Sequence, residues 1–152
     1  MPMPWTYRHS EKEYKSFLKD ARVEMDLQSG NNTYTAIEGV LRCFRARLAP
    51  QQVVDFAQVI PSTLQAILLQ GWHVDVPPKP WGTRDAQIAE VKGLRPHHNL
   101  TPDTAIEATA FALWRHCDHM DLSRELAKIG PEAVTFWQVT GHPPAALEQR
   151  II

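Results

Sequence analysis

An internal repeat constrains this chain more than any other feature of its sequence. Thr35-Ala36-Ile37-Glu38 recurs as Thr104-Ala105-Ile106-Glu107, each time at the head of a helical pattern. Apolar positions downstream correspond as well: Phe44 with Leu113, and Leu48 with Cys117. After a shift of one residue, Phe56 matches Leu126, Val59 matches Ile129, Pro61 matches Pro131 and Leu64 matches Val134. A match that runs from a short motif through core positions to a shared helix-breaking proline is the mark of a duplication. Each half is too small to bury its own apolar faces well. The two are therefore expected to pack together about a pseudo-two-fold axis.

The spacing of apolar residues makes both halves helical. Tyr14, Phe17, Leu18, Ala21 and Met25 form one stripe on a helix that begins at Ser10 and ends at Gly30-Asn31-Asn32. A second helix is predicted from Thr33 to Leu48, with Ile37, Val40, Leu41, Phe44 and Leu48 inward and Arg42, Arg45 and Arg47 mostly off that face. Pro50 suits a first helical turn, where a missing N–H costs nothing. Val53, Phe56, Ala57 and Ile60 follow on one face, and Pro61 stops the run. Leu64, Ile67 and Leu68 mark a short helix closed by Gly71. Residues 73–82 hold Pro77, Pro78 and Pro80 and read as an extended, semi-rigid strut. In the second half Thr83 reads as an N-cap, and Thr101-Pro102 as the start of a helix to His116 that is apolar nearly all round. Leu122, Leu126 and Ile129, then Val134, Phe136 and Trp137, place two more helices on either side of Gly130-Pro131.

No strand-like alternation runs for more than a few residues. The expected fold is all-α: one domain, a bundle of about eight helices in two related halves, with little or no β-structure. Half one is about 10–72, the Pro-rich connection 73–82, half two about 83–138 and a tail 139–152.

Composition narrows the function classes. Hydrophobic residues make up 43% and charged residues 22%, which fits a globular domain rather than a disordered one. A formal net charge of -1 lacks the basic excess expected of a nucleic-acid or membrane-surface protein. Cys43 and Cys117 are too few for a disulfide framework and read as buried free thiols. No secretory signal and no apolar run of membrane-spanning length is present, which points to a cytoplasmic location.

The stretch from Ala36 through Gly39-Val40-Leu41-Arg42, Arg45 and Arg47-Leu48 to Pro50, followed by Ile60-Pro61 and Gly71-Trp72, resembles the bacterial domain of unknown function 2267 family. Ala49 stands as an insertion in the family's Arg-Leu-Pro, and Ile60 replaces the usual leucine. The resemblance spans about residues 13–138. It implies a duplicated all-α fold and implies no activity, because its motifs are structural turns.

Four residues carry the most suggestive chemistry: His116-Cys117-Asp118-His119. His116 and His119, three apart, can share a helical face and with Cys117 make a candidate metal site, with His97 and His98 as further candidates if the fold brings them near. The spacing matches no standard zinc motif. The competing reading is a helix C-terminus where histidine complements the dipole and Cys117 packs in the core. Cys117 as a nucleophile would need a base from elsewhere in the fold, such as His97. Arg42, Arg45 and Arg47 read either as an anion site or as a solvated face. Trp72 and Trp81 flank the strut. They either clamp it to the bundle or present a partner-binding surface. The leading expectation is a non-enzymatic protein-interaction or regulatory module without a cofactor, whose partner is unidentified and for which a homodimer is one option. A metal protein built on His116, Cys117 and His119, and a small-ligand binder with a pocket between the halves, are the alternatives.

Overall fold

The computed structural model of the chain describes residues 3–98 and 100–152, with all their side chains except that of His98. Among the described residues there are nine α-helices, two 3₁₀ turns and no strand. The helices are α1 (Trp5–Arg8), α2 (Ser10–Met25), α3 (Gly30–Arg45), α4 (Pro50–Ala57), α5 (Ser62–Leu69), α6 (Arg84–Lys92), α7 (Ala105–Trp114), α8 (His119–Ile129) and α9 (Pro131–Phe136). The 3₁₀ turns are Pro96–His98 and Pro144–Leu147. About eight helices were expected; the ninth is the one-turn α1, which lies before the first helix read from the sequence.

The core is built on α3 and α7. Every α7 residue from Ala105 to Leu113 except Glu107 is buried, as expected for a helix that is apolar all round. α7 packs along α2 and against α3, and α3 also packs against α6 and α5. Gly39 on α3 lets α6 approach: a Cβ there would meet Val91 Cγ1 and the Val91 carbonyl oxygen at 3.0 Å. An aromatic group fills the middle. The Phe44 ring lies 4.8 Å from Phe56, 5.1 Å from Phe136 and 5.3 Å from the fully buried Trp137.

Several helix limits differ from the sequence reading, each for a local reason. Gly30-Asn31-Asn32 does not end α2. Asp26, at φ 54°, is its left-handed terminal residue. Ser29 then caps α3 by accepting from the N–H groups of Asn31 and Asn32, so Gly30 opens the next helix. Thr35 therefore lies inside α3, donating to the Asn31 carbonyl, while its counterpart Thr104 is the residue before α7. Neither makes a capping box. Thr101-Pro102 precedes a turn, with Ala105 N–H donating to the Pro102 carbonyl, and α7 starts at Ala105. In α9, Val134 is exposed and Ala133 takes the inward position beside Phe136. Pro50 at the first turn of α4, Pro61 before α5 and the Thr83 side-chain cap on α6 stand as read.

Arg45, at the end of α3, and Arg47, just past it, are not a solvated face. Arg45 Nη1 donates to the carbonyls of Leu68 (2.7 Å) and Gln70 (2.9 Å), closing the end of α5. Arg47 is buried, with Nε donating to the Trp81 carbonyl and Nη1 to the Cys43 carbonyl and to Glu90. The tail also packs. Arg150 N–H donates to the Arg115 carbonyl, and the His142 ring lies 4.3 Å from that of Phe111.

Candidate functional site

The His-Cys-Asp-His run sits where α7 ends, and an ending helix leaves carbonyl groups without intrahelical partners. His116 Nδ1 donates to the Ala112 carbonyl (2.8 Å). His119 Nε2 donates to the Trp114 carbonyl (2.8 Å). The Leu113 carbonyl accepts from the His116 backbone N–H, and the Arg115 carbonyl accepts from Arg150. Both histidines thus finish the hydrogen bonding of one helix end. Asp118 caps the next helix, accepting from Asp121 N–H.

The rings nevertheless sit in different surroundings. His116 is edge-on to Phe17 at 5.9 Å, and His119 is edge-on to Trp114 at 5.1 Å. Cys117 is buried, and burial pushes its thiol well above the usual value, away from the thiolate that a metal or a nucleophile requires. Cys43, also buried, is pushed up to about 12, first by burial and then by Glu90. Both thiols are free. Among the described residues, no three His, Cys, Asp or Glu side chains are grouped to hold a metal ion. His97 lies exposed on the Pro96–His98 turn, and the side chain of His98 lies outside the described residues.

The free face of His116 opens on a cavity of about 380 Å³ between α1, α2 and the tail. Its walls include Trp5, Glu13, Arg150, Ile151 and Ile152. His116 Nε2 lies 2.9 Å from Ser16 Oγ and 3.8 Å from Asp20 Oδ2. Asp20 in turn accepts from Arg115 Nε (3.0 Å) and Arg150 Nη1 (3.2 Å). Burial lowers the affinity of His116 for a proton, more than its bond to the Ala112 carbonyl and the nearby Asp20 raise it. Burial raises that of Glu13, whose carboxylate accepts from Thr6 Oγ1 at 2.6 Å.

The strut is fixed from beneath. Trp81 is half-buried, its ring 5.8 Å from Phe44 and 6.5 Å from Phe136. Its carbonyl accepts from Arg47 and from Gln87 Nε2. Lys79 N–H donates to the Ala46 carbonyl (2.8 Å). Trp72 is half-buried against the core. Each tryptophan also lines a surface groove. That of Trp81, about 250 Å³, includes Arg84, Gln87, Pro131 and Glu132; that of Trp72, about 140 Å³, includes Leu48, Val76 and Lys79. Val74 and Val76 stand exposed, Val76 on the wall of the Trp72 groove, as does Leu69 at the end of α5.

The family described as uncharacterized conserved protein (DUF2267) matches residues 14–133. The chain belongs to the DUF2267 family. The match runs from α2 to the middle of α9 and so takes in the strut and both histidines, whereas α1 and the tail lie beyond it. No curated protein matches the chain. No helix among the described residues is long and apolar enough to cross a membrane. Sequence reasoning missed Ser16, Asp20 and Glu13 around His116. They lie about a hundred positions earlier, and no local motif joins them to it. Their only trace was a row of polar residues flanking the apolar stripe of α2.

Proposed function

We propose that this DUF2267 chain is a protein-interaction module whose docking face is the strut between Trp72 and Trp81. The observation that carries it is the contrast between the strut's two sides. Its inner side is fastened by Trp81, by the buried Arg47 and by the Lys79 backbone. Its outer side leaves Val74 and Val76 54% and 64% exposed beside Trp-lined grooves. Val74 and Val76 lie on a turn, with the Val76 N–H donating to the His73 carbonyl, where extended chain was expected. A fastened segment loses little conformational entropy on binding, and exposed apolar side chains beside aromatic grooves are what a partner's apolar residues cover. The strut also joins what we take to be duplicated halves, since α2–α5 and α6–α9 follow one another in parallel order.

The test is capture of a partner by the intact chain and by V74D/V76D. These positions face solvent, so the variant is expected to unfold at the wild-type midpoint and to lose the partner by at least tenfold in affinity. A partner retained equally by both proteins would sink the reading. A small-ligand role is the second reading. It is favoured by the cavity at His116, which lies between α2 of the first half and the end of α7 of the second.

A further inference from the structure

We propose that Ser16 is an activated nucleophile, with His116 as its general base, beside a cavity walled by His116 and the tail that accepts the acyl group of a small activated ester. The proposal stands apart from the strut, on the geometry at the end of α7.

The direction of two hydrogen bonds carries the argument. The Ala112 carbonyl can only accept, so the hydrogen of the neutral His116 ring is on Nδ1. Nε2 is then a bare lone pair, and at 2.9 Å it must accept from the Ser16 hydroxyl. A nucleophile bonded to a base whose other nitrogen is held by a third group is the arrangement that activates serine. The opposite tautomer would have made Ser16 an acceptor and left it inert.

The surroundings suit the reaction. His116 has 2% of its side chain exposed, so its ring is pinned in one orientation. Burial keeps it neutral and able to take a proton. Asp20 Oδ2, 3.8 Å from Nε2, would lie beside the imidazolium as it forms. Ser16 is one helical turn from Glu13 and bonded to His116, and both of these neighbours line the cavity. Trp5, Ile151 and Ile152 give the cavity an apolar wall, and Arg150 brings a guanidinium that could meet a developing oxyanion. At about 380 Å³ the space fits a small acyl group.

The step balances without any redox partner. Ser16 Oγ adds to the ester carbonyl carbon as its proton passes to Nε2. Collapse of the tetrahedral adduct breaks the bond to the leaving oxygen, which takes that proton from Nε2 and departs as an alcohol or phenol. Ser16 is left acylated. Water, deprotonated by the same Nε2, then adds to the acyl carbon and releases a carboxylic acid and free Ser16.

The probe is p-nitrophenyl acetate, incubated with the full chain. The expected results are nitrophenol release and one acetyl group, located on Ser16 by peptide mass spectrometry. H116Q should acetylate about a hundredfold more slowly, the scale of a lost general base. H119Q, which changes a cap on the same helix end without touching Ser16, should acetylate at the wild-type rate. The wild-type rate should also climb with pH as His116 gives up its proton. Acetyl groups only on lysines or on other histidines, or no acetylation of Ser16 in the folded wild-type chain, would overturn the proposal whatever the variants do.

Discussion

Arg47 reaches from just past α3 into a pocket made by the strut and α6, where 5% of its side chain is exposed. It meets Glu90 at 2.8 Å and two backbone carbonyls, so its hydrogen-bonding capacity is used inside the protein. Removing one member of a buried pair strands the other, at a cost of about 3–5 kcal/mol. Because Glu90 keeps 28% of its side chain exposed, R47M is expected near the lower end, about 3 kcal/mol, measured by urea unfolding. A loss below about 1 kcal/mol would show that the pair does not hold the strut. His116 makes a second residue-scale prediction. Its folded pKa is depressed below the ordinary 6.5, chiefly by burial. Above pH 6.5 both states are neutral there and its contribution is intact. As pH falls from 6.5 to the lower folded value, the unfolded chain takes up a proton first and stability drops. Urea midpoints between pH 8 and 5 should therefore fall less steeply for H116Q than for the wild type. Parallel curves would contradict the assignment.

At the scale of elements, the helix ends divide into those the sequence declares and those it conceals. Pro50, Pro61 and Thr83 act through their own backbone or side chain, so their positions were legible. The start of α3 was missed because Gly30-Asn31-Asn32 fits a helix end as readily as a helix start. The choice fell to Ser29, whose hydroxyl accepts from the first turn, and to Asp26, which takes the left-handed conformation. S29A and D118A are each expected to cost about 1 kcal/mol, the usual worth of a side-chain cap. Hydrogen exchange should show the loss locally, in the first turns of α3 and α8. Unchanged protection at Asn31 and Asn32 in S29A would show that the cap is not what starts α3. The arginines were misread at this scale too. Periodicity puts a charge off a core stripe, but it does not reveal whether a neighbouring segment will cover it.

Across the whole molecule, the core crosses the strut. α2 and α3 bury their apolar faces on α6 and α7, and Phe44 of the first half touches Phe136 and Trp137 of the second. The buried residues of both halves form one core. Far-UV circular dichroism and tryptophan fluorescence should report one coincident unfolding transition, and a fragment of residues 1–72 is expected to be unfolded. A fragment that melts cooperatively by itself would contradict this shared core.

The sequence by itself determined that the chain is helical, where its prolines and the Thr83 cap cut it, which apolar residues lie inward, and the DUF2267 pattern. Those properties depend on neighbours three or four positions apart, or on the chemistry of a single residue, and a linear reading can see both. The tertiary structure decided what each polar side chain does. Arg45 and Arg47 became internal ties. His116 and His119 became caps in separate surroundings. Ser16, unremarked on α2, came within 2.9 Å of His116. Hydrogen bonds of that kind form between residues far apart in sequence. Their partners are set by how α2, α7 and the tail pack, and no period along the chain encodes that.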